Sequence, residues 1–142
     1  MERALADIVD QLTSALAGGP PLRLAVLFGS AARRRLRADS DLDVAILPVD
    51  PDLTLERELD LQRGLSLATG RPVDLVRLDR APTLLRWQIA RDGQLILAAP
   101  PTEWSRFRAR AAAEHADLAP ALRVAGERFR RHLTARGGEA PR

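Results

Sequence analysis

Residues 22–28 and 41–47 are two short apolar runs, and the segment between them is crowded with charge. The first run ends in Gly29-Ser30, four arginines follow between residues 33 and 37, and then come Asp39, Asp41 and Asp43. No other feature restricts the fold so strongly. Runs this short and apolar read as strands buried on at least one side. A connection this polar has to lie at the surface. The charged segment is therefore displayed at one end of a sheet.

The rest of the chain alternates in the same way. Leu5, Ile8, Val9, Leu12 and Leu16 recur at helical spacing over residues 2–17, and Gly18-Gly19-Pro20-Pro21 stops that helix. A short helix is expected over 31–37 with Ser30 as its N-cap. Residues 53–68 read as a helix with Leu55, Leu59, Leu61 and Leu65 on its face and Gly70 as its C-cap. A strand is expected over 73–78, a helix over 82–91, a strand over 94–98, and a C-terminal helical region over 102–136, broken or bent near Pro120. Helices alternating with strands predict an α/β sheet with helices packed on it.

A chain of 142 residues is expected to form one domain over 1–142, with its core at about 22–98. It has no cysteine, which excludes disulfides and thiolate metal sites and suits a cytoplasmic location. No apolar run approaches the length of a membrane span, and the acidic, amphipathic start is unlike a signal peptide. All 22 basic residues are arginine, yet the net charge is only +3. With few aromatic residues to stack on bases, this argues against direct nucleic-acid binding. A GC-rich coding bias explains the arginine excess as well as phosphate recognition does.

The chemistry-bearing residues lie where the strands end. Asp41 and Asp43 are two apart, so both leave one side of the strand while Leu42 and Val44 point to the other. Carboxylates about 7 Å apart along a strand repel each other unless a cation lies between them. Mg²⁺ fits that position, because it takes oxygen ligands and completes its shell with substrate phosphates. A solvated strand end carrying two acids is the plainer reading of the same pair. Gly29 lets backbone approach an anion closely, and a helix start behind Ser30 would attract a phosphate. A simple capping turn uses the same two residues. Asp74 lies within the apolar run PVDLV and must be satisfied by a metal, an arginine or solvent at an edge. If its strand neighbours Asp41 and Asp43, three carboxylates converge, enough for two divalent ions.

The spacing G-S-(ten residues)-D-x-D, here Gly29, Ser30, Asp41 and Asp43, with Asp74 on a later strand, resembles the DNA polymerase β-like nucleotidyltransferase superfamily. The segments DLVRLDRAP, RDGQLIL and EWSRF are similar to the MntA-type antitoxins, and the resemblance spans residues 22–117. It implies a palm-like nucleotidyltransferase fold with a mixed sheet of about four strands. It also implies transfer of AMP from ATP, with two Mg²⁺ ions held by Asp41, Asp43 and Asp74. Asp74 would help deprotonate the acceptor, and Gly29 and Ser30 would hold the β- and γ-phosphates. The implied partner is a HEPN-domain ribonuclease toxin, neutralised by AMP placed on a tyrosine hydroxyl. A small-molecule nucleotidyltransferase and a non-catalytic toxin-binding module are the alternatives.

The chain departs from the family run G-S-x-A-R-G, since Ala32-Arg33 is followed by Arg34. Arg33 stands at the matching arginine and is the candidate phosphate contact. On a helix it would share a face with Arg37, leaving Arg34 and Arg35 to solvent or a partner. Ser40 is expected to order the turn before Asp41. Arg110 and His115 match the R-x4-H pattern of HEPN ribonucleases, but a solvent-facing pair on one helix is the better reading. Trp87, Ile89, Trp104 and Phe107 are expected to pack the last helices on the sheet.

Overall fold

The computed structural model describes residues 2–33, 37 and 40–138. In chain order the elements are α1 (Glu2–Ala17), β1 (Leu22–Phe28), β2 (Leu42–Pro48), α2 (Leu55–Thr69), β3 (Val73–Arg77), α3 (Thr83–Asp92), β4 (Gln94–Ala98) and α4 (Glu103–Gly138). The strands form one mixed sheet in the order β3-β2-β1-β4. β1 is antiparallel to both β2 and β4, while β2 and β3 are parallel. A parallel pair needs a crossover, and α2 supplies it.

Strand alternation decides which helices each face carries. Ala25 and Leu27 of β1, Leu42, Val44 and Ile46 of β2, and Val73 of β3 pack with Leu12 of α1 and Leu61 and Leu65 of α2. Leu24, Val26 and Ala45 pack on the opposite face with Ile89 and Ala90 of α3 and Phe107 and Ala111 of α4. Leu22 and Leu24 should share a face by simple alternation, yet they belong to different clusters. The β1–β2 register shifts between them, and this irregularity turns Leu22 toward α1 and α2. Each fully buried leucine, isoleucine or valine contributes roughly 1.5–3 kcal/mol to stability. Among the described residues no helix is long and apolar enough to cross a membrane.

Local expectations and structure differ at several positions. The helix expected over 31–37 falls largely outside the described residues; residues 29–33 form a turn, with one bond from the Arg33 N–H to the Gly29 carbonyl at 3.2 Å. Arg34 and Arg35 lie outside the described residues, as do the positions that would have continued that helix. In α2 only Leu61 and Leu65 are buried, whereas Leu55 and Leu59 are exposed. Residues 59 and 61 are about 200° apart around a helix, so the four leucines never formed one face. The caps of α2 are as expected, with the Thr54 hydroxyl accepting from the Arg57 N–H and Gly70 left-handed at φ 67°.

Of the break or bend expected near Pro120, the break is absent, since α4 runs from Glu103 to Gly138 through the proline. Proline removes one N–H from the ladder. Here it lies on an exposed segment, where the carbonyl left over can be hydrated. Ile89 and Phe107 are buried as expected, and Trp104 stacks on Phe107 at 5.9 Å. His115 does not face solvent. It is half-buried and stacks on Trp87 at 4.6 Å, while Arg110 is exposed.

Candidate active site

The end of β1 lies against the start of β2, where Phe28 is the cross-strand partner of Asp43. Gly29 follows at φ 74°, a conformation that side chains disfavour. A Cβ on Gly29 would also run into the Asp43 carboxylate oxygen Oδ2 and lie 3.2 Å from its Cγ. Glycine is therefore required twice at this position. The turn and the carboxylate fit together only because nothing stands between them.

Asp43 projects from the same face of β2 as Ala45, the side that carries α3 and α4. Asp74 is its direct neighbour in the parallel β2–β3 register, on a strand about 4.8 Å away. Asp41 precedes β2 by one residue and is exposed. The Asp43 carboxyl is pushed above the usual carboxylate range, first by burial and then by the negative charges of Asp74 and Asp41. The three acids thus share one electrostatic neighbourhood. Of the partners expected for Asp74, a metal, an arginine or solvent at an edge, the structure offers solvent. β3 is an edge strand, and Asp74 is exposed there.

Several backbone bonds hold the approach to Asp41. The Ser40 hydroxyl accepts from the Arg37 N–H at 2.9 Å, so Ser40 closes the turn it was expected to order. Arg71, which sequence reasoning missed, donates from Nη1 to the Arg37 carbonyl at 2.6 Å and to the Ser40 carbonyl at 3.3 Å. The Leu42 N–H bonds the Pro72 carbonyl at 2.9 Å. The segment before β3 therefore clamps the segment before β2. An isolated arginine 31 residues from Ser40 gives no local signal of that contact.

Ser30 is exposed beside Gly29, and Arg33 is exposed on the same turn. The Asp92 carboxyl at the end of α3 is held below the usual range, chiefly by its hydrogen bond from Arg91 and less by the positive charges of Arg91 and Arg33. That places the Arg33 charge toward the end of α3. Gly29, Asp41, Asp43 and Asp74 come together, with Ser30 and Ser40 next to them in the chain.

Among the described residues no three histidine, cysteine, aspartate or glutamate side chains surround a single point as a closed metal cage would. The donor set is instead a row of carboxylates along an open strip. Mg²⁺ commonly binds through one or two carboxylates and completes its shell with water and phosphate oxygens, and the row suits that habit. Replacing Gly29 by alanine is expected to cost about 1–3 kcal/mol in backbone strain and to displace the Asp43 carboxylate. A lowered urea midpoint with an unchanged slope would report it.

Comparison with known proteins gives the same picture. A protein adenylyltransferase, MntA, of Shewanella oneidensis is 36% identical over 75 residues, which is 53% of this chain and 53% of that protein. The matched segment spans about half the length of that curated relative. A toxin–antitoxin crystal structure with AMP-PNP superposes with a TM-score of 0.75 at 24% identity, covering 85% of this chain and 97% of that one. A Shewanella oneidensis complex of a tri-AMPylated HEPN toxin with its MNT antitoxin superposes at 0.65 and 23% identity, covering 90% and 97%. These two likenesses establish the shared fold. The family model for polymerase beta nucleotidyltransferases matches residues 10–101, the stretch that carries the glycine turn, all three aspartates and the whole sheet, and the chain belongs to that family.

Proposed function

We propose that this chain is a protein adenylyltransferase that moves AMP from ATP onto a tyrosine hydroxyl of a HEPN-type toxin, acting as its antitoxin in the cytoplasm. The observation that carries this reading is the Asp43–Asp74 register pair beside Gly29, with Asp41 close enough to raise the Asp43 carboxyl. Relatives named protein adenylyltransferase, one crystallised with AMP-PNP and one whose toxin carries three AMP groups support it.

In this reading Asp41, Asp43 and Asp74 hold two Mg²⁺ ions, which when bound neutralise the triphosphate and the pyrophosphate leaving group. Gly29 and Ser30 take the β- and γ-phosphates on the turn after β1, and Arg33 adds a cation at its rim. Asp74, exposed on the edge strand, accepts the proton of the acceptor hydroxyl. The acceptor oxygen forms a bond to the α-phosphorus, and the bond from that phosphorus to pyrophosphate breaks. Charge placed in advance where charge develops supplies most of the rate.

The test is labelled ATP, Mg²⁺ and the product of the adjacent gene, with wild type and the double variant Asp41→Asn, Asp43→Asn. Label on the partner with wild type alone supports the reading. Full neutralisation by the double variant without label would replace it with sequestration by contact.

A further inference from the structure

The carboxylates of the site are not all held by the same means. Asp43 lies inside β2, with Phe28 of β1 on one flank and Asp74 of β3 on the other. Sheet pairing therefore fixes both Asp43 and Asp74. Asp41 precedes β2 by one residue, is exposed, and takes no part in either ladder. Its place has to be set by something other than the sheet.

The backbone on both sides of Asp41 is held, and consecutive residues hold it. A peptide unit is planar, so a bond to its carbonyl or its N–H orients the whole unit. The unit before Asp41 carries the Ser40 carbonyl, which accepts from Arg71 Nη1 at 3.3 Å. The unit after it carries the Leu42 N–H, which donates to the Pro72 carbonyl at 2.9 Å. Arg71 Nη1 also reaches the Arg37 carbonyl at 2.6 Å. That carbonyl accepts from the Ser40 N–H at 3.1 Å, so one nitrogen grips both ends of the turn. Arg71 is anchored in its own right. Gly70 is left-handed at φ 67°, and its N–H bonds the Ser66 carbonyl at 2.9 Å. Ser66 Oγ then accepts from the Val73 N–H at 3.1 Å. The end of α2 thus fixes residues 70–73, and these fix the turn before β2.

We propose that Arg71 is a positioning residue: its grip on the Ser40 carbonyl holds the Asp41 carboxylate where it can share divalent cations with Asp43 and Asp74. The inference rests on the reading of those acids given above. Arg71 acts here through Asp41 and touches no reactant. Its charge strengthens both bonds to the carbonyls. Donors spaced before an ion arrives bind it better, and loss of such an outer support commonly lowers metal affinity by roughly 10–100-fold.

The probe is Mn²⁺ alone, titrated into the full chain and followed by the electron paramagnetic resonance signal of the free ion. Arg71→Met keeps the apolar stem and removes the donors, and circular dichroism checks its fold. If it does not fold, Arg71→Gln, too short to bridge the two carbonyls, takes its place. The variant is expected to bind Mn²⁺ roughly 10–100-fold more weakly, and equal affinity would overturn the proposal. Arg71→Lys retains a cationic donor for both carbonyls and should hold close to wild-type affinity. A loss as large as that of Arg71→Met would overturn the bridge as the cause. In an Asp41→Asn background, Arg71→Met should bring no further loss. A full additional loss there would show that Arg71 does not act through Asp41, and would overturn the proposal. A wild type that binds Mn²⁺ yet transfers no AMP would sink the adenylyltransferase reading, while the Mn²⁺ titrations still decide Arg71.

Discussion

Replacing Asp43 by asparagine is expected to abolish AMP transfer and, at the same time, to make the ligand-free protein more heat-resistant. The carboxyl is half-buried and faces Asp74 and Asp41, all three pushing against its ionised form. Its pKa in the folded chain is therefore raised, so the fold prefers it protonated. The sign follows directly. The associated stability is fully present below the ordinary aspartate pKa and is lost as pH rises through the raised one. Asparagine keeps the shape and removes the charge, so the melting temperature at neutral pH should rise by a few degrees, and its fall with rising pH should flatten. Transfer should drop by about 10²–10³-fold or more, as for loss of a preorganised electrostatic group. Scanning calorimetry across pH, beside a transfer assay, reads both. A variant that is inactive and less stable than wild type would show that Asp43 supports the fold instead of straining it.

The largest loss of stability is expected from Arg77→Ala. Arg77 is the buried charged residue of the described chain, with its side chain 6% exposed. Its guanidinium is pinned from several directions. Nε and Nη2 grip Asp79, Nη1 reaches Glu58 of α2 and the Leu53 carbonyl at 3.4 Å, and Nη2 reaches the Pro51 carbonyl at 3.1 Å. It thereby ties the end of β3 to the turn that starts α2. Truncation leaves two carboxylates and two carbonyls without their donor, at a cost of about 3–5 kcal/mol. Urea denaturation should show the midpoint falling with little change in slope. The triple variant Arg77→Met, Glu58→Gln, Asp79→Asn should recover much of the loss, because no uncompensated charge remains. Arg77 holds the Asp79 carboxyl below its usual range. That share of stability is present above the ordinary aspartate pKa and disappears as pH falls through the depressed one. Asp79→Asn should therefore blunt acid unfolding.

The candidate site was legible because its signals are local. Asp41 and Asp43 stand on one strand end with Gly29-Ser30 close upstream, and Asp74 interrupts a run otherwise made of strand formers. Only the adjacency of β2 and β3 had to be supplied, and the register Asp43–Asp74 supplies it. What escaped was non-local or competitive. Arg77 meets Glu58 across 19 residues, and Arg71 meets Arg37 across 34. No spacing rule reaches so far. Leu55 and Leu59 looked like core because leucine is apolar, yet helical geometry separates them from Leu61 and Leu65.

The outermost position of β3 has a consequence for what such a molecule can act upon. Among the described residues Asp74 has sheet on one flank and is exposed on the other, so in the proposed reading an acceptor hydroxyl can arrive sideways, attached to a body of any bulk. An enzyme that must sort small molecules needs walls around the reacting group, since selectivity there comes from enclosure. In the proposed reading, this chain keeps its proton acceptor at a threshold and not in a chamber. Discrimination must then come from the visitor's own surface fitting around the edge, and the size of the visitor is no obstacle.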